Sequence, residues 1–185
     1  MTTTAERHDL STIKPLFDET GIAGKVSELA HRLNSDYENM TGIVVVVILK
    51  GSFIFAADLV RKIHFDFKII FLEISSYGDT TQSGNLQYIT PITEDFTGKH
   101  VIIVEDIVDT GNTLNSLSSI LKNKGAKSIE YVTLLIKPEK CKTSEPVKYA
   151  GFEIHDAFVV GYGMDYRGKF RNLPYIADLH DATRD

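Results

Sequence analysis

The run Ile43-Val44-Val45-Val46-Val47-Ile48-Leu49 is apolar on both faces and almost wholly β-branched. A half-buried strand alternates apolar and polar residues. An unbroken run needs cover on both sides, as a central strand of a parallel sheet has. At seven residues it is far too short to cross a membrane. Val101-Ile102-Ile103-Val104 and Ile129 to Ile136 repeat the pattern, and Phe67 to Ile74 reads as a further strand. Helical spacing lies between these runs. Val26, Leu29, Ala30 and Leu33 mark one helix within Gly24 to Asp36, and Phe53 to Lys62 reads as a second. Thr113 to Lys124 places Leu114, Leu117, Ile120 and Leu121 on one face and meets Gly125 as its stop. This alternation predicts an α/β fold with a central, mostly parallel sheet flanked by helices. Ligands in such folds bind beyond the carboxyl ends of the strands, so the residues after Leu49, Val104 and Ile136 are the first to inspect.

Composition narrows the function. The 185 residues show no internal repeat and no linker-like stretch, so residues 1–185 are read as a single domain. A formal net charge of −5 argues against a nucleic-acid coat. Without a secretory or membrane-spanning pattern, the expectation is a cytoplasmic protein that binds neither nucleic acid nor membrane. The single cysteine, Cys141, supplies neither an internal disulfide nor a Cys-rich zinc site. The six histidines show no ligand spacing.

The segment that carries chemistry follows Val104: Glu105-Asp106-Ile107-Val108-Asp109-Thr110-Gly111-Asn112-Thr113. Three carboxylates fall within five residues at a strand end, and the chain then enters a helix. Amides at a helix N-terminus point outward and favour an anion, and the two threonine hydroxyls add donors. Amides for a phosphate beside acids for hydroxyls or a hard cation suit a sugar phosphate. The plainer alternative is a capped helix with solvated acids, in which Asp109 is the capping residue. The loop has neither the Gly-Lys-Ser/Thr of a Walker A nor Rossmann glycine spacing, and Gly161-Tyr162-Gly163 reads as a turn. Ser75 to Asn85 is polar, carries two glycines and has no period, as a mobile lid would.

Val104 to Thr113 resembles the phosphoribosyl-pyrophosphate signature of type I phosphoribosyltransferases. Leu49-Lys50-Gly51-Ser52 resembles that family's pyrophosphate loop, and Ser75-Ser76-Tyr77-Gly78 the start of its flexible lid. Leu134-Leu135-Ile136-Lys137-Pro138 resembles its purine-reading strand. Phe158 to Tyr166 and Phe170 to Tyr175 resemble its C-terminal hood. These motifs run in order from Gly24 to Ile176 and are similar to those of the hypoxanthine(-guanine) phosphoribosyltransferases. The resemblance implies the type I phosphoribosyltransferase fold, with a small hood and a lid. It also implies transfer of a 5-phosphoribosyl group from phosphoribosyl pyrophosphate to N9 of a 6-oxopurine base, with Mg²⁺, in a homodimer or homotetramer.

By the same resemblance Glu105 and Asp106 meet the ribose hydroxyls and Mg²⁺, and Asp109 is the general base. Asp109, Thr110, Gly111, Asn112 and Thr113 hold the ribose 5-phosphate. Lys50, Gly51 and Arg171 bind pyrophosphate, with a cis peptide between Lys50 and Gly51. Lys137 donates to O6 of the purine, Phe158 stacks on it, Val159 acts through its backbone and Asp165 sits near the base edge. Ser76 and Tyr77 belong to the lid. The position four residues after Lys137, basic in many relatives, is Cys141, with Lys140 just before it. Adenine would prefer an acceptor where Lys137 donates, while xanthine stays open. The rival reading from another class is a regulator on the same fold that binds nucleotide and nucleic acid without catalysis. Such proteins often lack an acid where this chain has Asp109, and the charge of −5 also opposes that reading.

Overall fold

The computed structural model describes residues 14–76 and 86–179. The chain starts with β1 (Pro15–Phe17) and α1 (Glu19–Tyr37), then β2 (Ile43–Leu49), α2 (Phe53–Val60), β3 (Phe67–Ser76) and β4 (Leu86–Tyr88). It continues through β5 (His100–Val108), α3 (Asn112–Asn123), β6 (Ser128–Ile136), β7 (Tyr149–Glu153), β8 (Val159–Val160) and β9 (Ile176–Asp178). The main sheet has the order β4-β3-β2-β5-β6-β7, and only β4 runs antiparallel to its neighbour. A second, antiparallel sheet, β1-β9-β8, joins the two ends of the described chain into a hood.

The two-sided burial expected of β2 is realised. Val45 and Val47, with Ile102 and Val104 of β5, pack among residues of α1 and α2. Val44, Val46 and Ile48, with Val101 and Ile103, pack against Leu114, Leu117 and Leu121 of α3. Helix α1 begins earlier than its apolar spacing suggests, because Asp18 caps it by accepting the Gly21 N–H at 2.7 Å. Strand β5 runs beyond Val104, and its ladder with β6 reaches Val108↔Ile136. Glu105 and Asp106 therefore lie within the strand and not in the loop after it. Strand β7, a short edge strand that starts at the buried Tyr149 and ends at the exposed Glu153, has no counterpart in the sequence reading. Among the described residues no helix is long and apolar enough to cross a membrane.

Gly161-Tyr162-Gly163 is a turn, as read, and it shapes the hood. Gly161 and Met164 exchange backbone hydrogen bonds of 3.0 Å, while Tyr162 and Gly163 have φ of 48° and 102°. Positive φ at both central residues is the type I′ geometry. Gly161 itself has φ of 96°, and a Cβ there would lie 2.0 Å from the Tyr175 carbonyl oxygen. Gly161→Ala should therefore destabilise the protein by about 2–4 kcal/mol through strain and a backbone clash. Thermal melting should show a drop of about 5–15 °C for a chain of this size, and an unchanged midpoint would contradict this account of the turn.

Candidate active site

Parallel strands deliver their last residues to one edge of the sheet, and here the hood closes over that edge. Between them lies a cavity of about 450 Å³. Lys50 and Gly51, just past β2, form one wall, with Glu73 from the end of β3 beside them. Asp106 and Ile107 of β5 form the floor, followed by Asp109. Lys137, the first residue beyond β6, stands at the other end with Phe158 and Val159 of the hood. Asp165 and Arg171 enter from the hood near Asp106. Nine residues expected at the site from sequence thus share one cavity, although more than a hundred positions separate Lys50 from Arg171 in the chain.

The walls meet at close quarters. A Cβ on Gly51 would fall 1.9 Å from Oδ2 of Asp106, and one on Gly163 would fall 2.2 Å from the Gly51 carbonyl oxygen. Ser52, fully buried, donates through Oγ to the Ile48 carbonyl and ties the loop back to β2. The cis peptide bond is Leu49–Lys50, one residue earlier than the resemblance implied.

Charges in the cavity are paired across elements. Lys50 Nζ lies 3.1 Å from Glu73. The Arg171 guanidinium donates to the Gly163 carbonyl at 2.7 Å and meets Asp165 at 2.6 Å. Lys137, with only 8% of its surface exposed, donates to Asp109 Oδ2 at 3.2 Å and to Asp156 at 3.3 Å. Lys140 holds the same Asp156 carboxylate at 2.6 Å, whereas Cys141 contacts Thr143. Lys140 and Lys137 pull the Asp156 carboxyl below its ordinary range. Burial pushes Asp106 up to about 6, opposed by its own and the Ile107 backbone N–H groups and by Arg171. Burial, then the neighbouring Asp106 charge, raises Glu105 well above the usual carboxylate range.

Some expected residues stand apart. Glu105 does not line the cavity, although it directly precedes Asp106 on β5. Thr110, Gly111, Asn112 and Thr113 also lie outside the lining, in the loop that leads from Asp109 into α3. Gly111 is the N-cap of α3, with φ of 81° and no side-chain cap, so Asp109 is not the capping acid that the plainer reading supposed. Ser76 ends β3; Tyr77 and the lid segment up to Asn85 lie outside the described residues. Two partners escaped the sequence reading, Glu73 and Asp156. Glu73 had a signal, being an acid that interrupts the apolar run Ile69-Ile70-Phe71-Leu72-Glu73-Ile74. Asp156 had none, since it is one exposed acid in a loop.

A crossover-connected sheet whose strand ends present a buried lysine, paired acids and an anion-ready helix start defines a class. The chain belongs to the phosphoribosyltransferase family: residues 13–167 match the phosphoribosyl transferase domain. Within it, the chain is 41% identical over 170 residues to the hypoxanthine-guanine phosphoribosyltransferase of Dictyostelium discoideum, covering 90% of this chain and 94% of that one. It is also 41% identical over 178 residues to the enzyme of the same name from Bacillus subtilis, covering 96% and 97%. The crystal structure of a hypoxanthine phosphoribosyltransferase from Staphylococcus aureus superposes with a TM-score of 0.85 at 41% identity, covering 91% of this chain and 92% of that one.

The raised pKa of Asp106 has a measurable consequence for stability. A carboxyl that rises from 3.8 to about 6 on folding binds its proton more tightly in the folded chain. Its contribution to stability is complete below the unfolded value and is lost as pH rises through the folded one. Asp106→Asn keeps the shape and escapes that loss. In buffer with EDTA the variant should gain about 2 kcal/mol over the parent at pH 8 and little at pH 4. Denaturant melts at the two pH values test this, and an equal change at both would refute it.

Proposed function

We propose that the chain transfers the 5-phosphoribosyl group of phosphoribosyl pyrophosphate to N9 of hypoxanthine, and of guanine, giving IMP or GMP and pyrophosphate in purine salvage. One observation carries the choice of base: a nearly buried ammonium, Lys137, lies 3.2 Å from the Asp109 carboxylate beside the Phe158 ring at one end of the cavity. A 6-oxopurine needs both partners. Its O6 accepts a bond from a donor, strengthened when the donor is charged, and its ring N–H must give up a proton to an acceptor. Phe158, 42% exposed and held edge-on by Tyr166 at 5.5 Å, offers a ring face for the purine. Val159, fixed in β8 by pairing with Asp178, presents backbone groups beside it.

At the opposite end Lys50, the backbone of Gly51 and Arg171 receive pyrophosphate. The planar fork of Arg171, oriented by the Gly163 carbonyl and Asp165, suits two phosphate oxygens. In this reading the 5-phosphate rests on the Thr110–Thr113 loop, where α3 opens at Gly111 without a side-chain cap. As the bond from C1 to pyrophosphate breaks, positive charge builds on the ribose and negative charge on the leaving group. Asp106 faces the first and Lys50 and Arg171 the second. Asp109 removes the purine proton.

The residues present fit a magnesium ion. Four carboxylates against three cations line the cavity, with Asp106 and Asp165 on neighbouring walls. No group of three or more ligating side chains forms among the described residues, which suits a cation that completes its shell with phosphate oxygens and water. Asp106 and Asp165 would hold it; Glu105, outside the cavity lining, supports the ribose side of the site through its neighbour Asp106. Such an ion would neutralise charge on the leaving pyrophosphate. We further infer a cytoplasmic homodimer or homotetramer, which the resemblance supports, and a lid over Ser76 and Tyr77.

The test is a product assay with phosphoribosyl pyrophosphate, Mg²⁺ and hypoxanthine, guanine, xanthine or adenine in turn. Hypoxanthine and guanine should react, and adenine should be at least about 10³-fold poorer in kcat/KM, because its amino group leaves the Lys137 ammonium unmatched. Comparable values for adenine and hypoxanthine would overturn the assignment. Asp109→Asn should lower kcat by about 10²- to 10⁴-fold while binding of the donor survives, and a kcat within twofold of the parent would remove Asp109 from the role of base.

A further inference from the structure

Among the described residues, the carboxylate on Lys50 is the one charge in the cavity lining that the proposed chemistry does not use. Glu73 pairs in register with Leu49 across β2 and β3, which sets it beside the pyrophosphate loop. Its backbone is fixed on both sides: its N–H donates to Thr90 Oγ at 3.1 Å, and its carbonyl accepts from the Ile89 N–H at 2.9 Å. The side chain is about one-third exposed and reaches the 64%-exposed Lys50 ammonium at 3.1 Å. An exposed lysine otherwise samples many rotamers, so this contact settles where the ammonium waits.

From this geometry we infer that Glu73 is a positioning residue that competes with pyrophosphate for Lys50 and weakens the hold of the site on the leaving group. The inference rests on Lys50 belonging to the pyrophosphate subsite. An anion that reaches Lys50 must displace the Glu73 carboxylate or share the ammonium with it. In either case it sits within several ångströms of a fixed negative charge. Arg171 is also paired, but its partner Asp165 has a use for the same ligand set: it lies by Asp106 and can hold the cation that accompanies pyrophosphate. Glu73 lines the cavity beside Lys50 and, among the described residues, forms an ion pair with Lys50 alone. Its effect is therefore on affinity and release, with the ammonium kept in place in the free protein and given up at a cost when the anion binds.

The full-length protein with Mg²⁺ and inorganic pyrophosphate as the probe tests this directly by titration calorimetry. Glu73→Gln should tighten pyrophosphate binding by about three- to tenfold, more at low ionic strength than at high. The KM for phosphoribosyl pyrophosphate should fall in step, and the KM for hypoxanthine should stay unchanged. Glu73→Asp, which keeps the charge, should behave like the parent. A merely structural role predicts the opposite sign, since loss of a strand-end contact loosens a site. Binding that is equal or weaker in Glu73→Gln overturns the inference, and weaker binding would mark Glu73 as a holder of the cation instead. Lys50→Gln separates this failure from that of the underlying reading. If pyrophosphate binding is the same in Lys50→Gln as in the parent, Lys50 is not in the subsite and both fall. If Lys50→Gln weakens binding while Glu73→Gln leaves it alone, only the role of Glu73 falls.

Discussion

At Gly51 the backbone passes the carboxylate of Asp106 with no space for a single methyl group, and the hood turn at Gly163 presses on the Gly51 carbonyl in the same way. Three segments from β2, β5 and the C-terminal hood thus converge on one point. The approach fixes how far β5 can project, since Asp106 must end beneath the loop. It also fixes the height at which the hood sits, since Gly163 rests on Gly51. Arg171 then finds its acceptor on Gly163 and its counter-ion on Asp165, so a cation of the phosphate end is placed by the same contact. Glycine is required at 51 for space alone, and at 163 for space and for a φ of 102°.

The convergence has an electrostatic cost. Carboxylates crowded at a strand end and partly removed from water hold their protons more tightly, and Glu105 and Asp106 both do so. Arg171 relieves Asp106 in part, while Lys50 is engaged with Glu73 and Lys137 with Asp109 and Asp156. The free site is thus a set of ion pairs, each of which a ligand must open. In the proposed reaction the anion takes Lys50 and Arg171, a divalent cation takes the Asp165 that Arg171 leaves, and Glu73 is left without its partner.

Legibility in the sequence followed burial. Strands β2, β5 and β6 were visible because helices cover both of their faces, which leaves an apolar run that no loop or half-exposed strand would show. The end of β5 was not visible. Glu105 and Asp106 break the apolar pattern while their backbones keep pairing with β6, so function overwrote the signal of structure there. The hood strands are two or three residues long and are held by pairings between the chain's two ends, and nothing local encodes them. The motif residues at the site were readable because each type is unusual in its place: a lysine closing an apolar strand, acids before a helix. Glu73 and Asp156 act as partners of those residues. A partner is defined by a contact across more than a dozen positions, which composition and period cannot carry.

The site also divides along the fold. The end proposed for phosphate is built from β2, β3 and β5, which are neighbours in the main sheet. The end proposed for the base is built from Lys137 just past β6, from Phe158 and from Val159 in a hood strand of two residues. That strand is held by β9, which in turn pairs with β1, and the Leu179 N–H donates to the Phe158 carbonyl at 2.7 Å. Asp106 and Asp109, proposed to face the ribose, lie where the two parts meet. A change in the hood can therefore alter which base is read without disturbing the phosphate loops. A change at Gly51 or Gly163 acts on both ends at once, because there the hood and the sheet share a single contact.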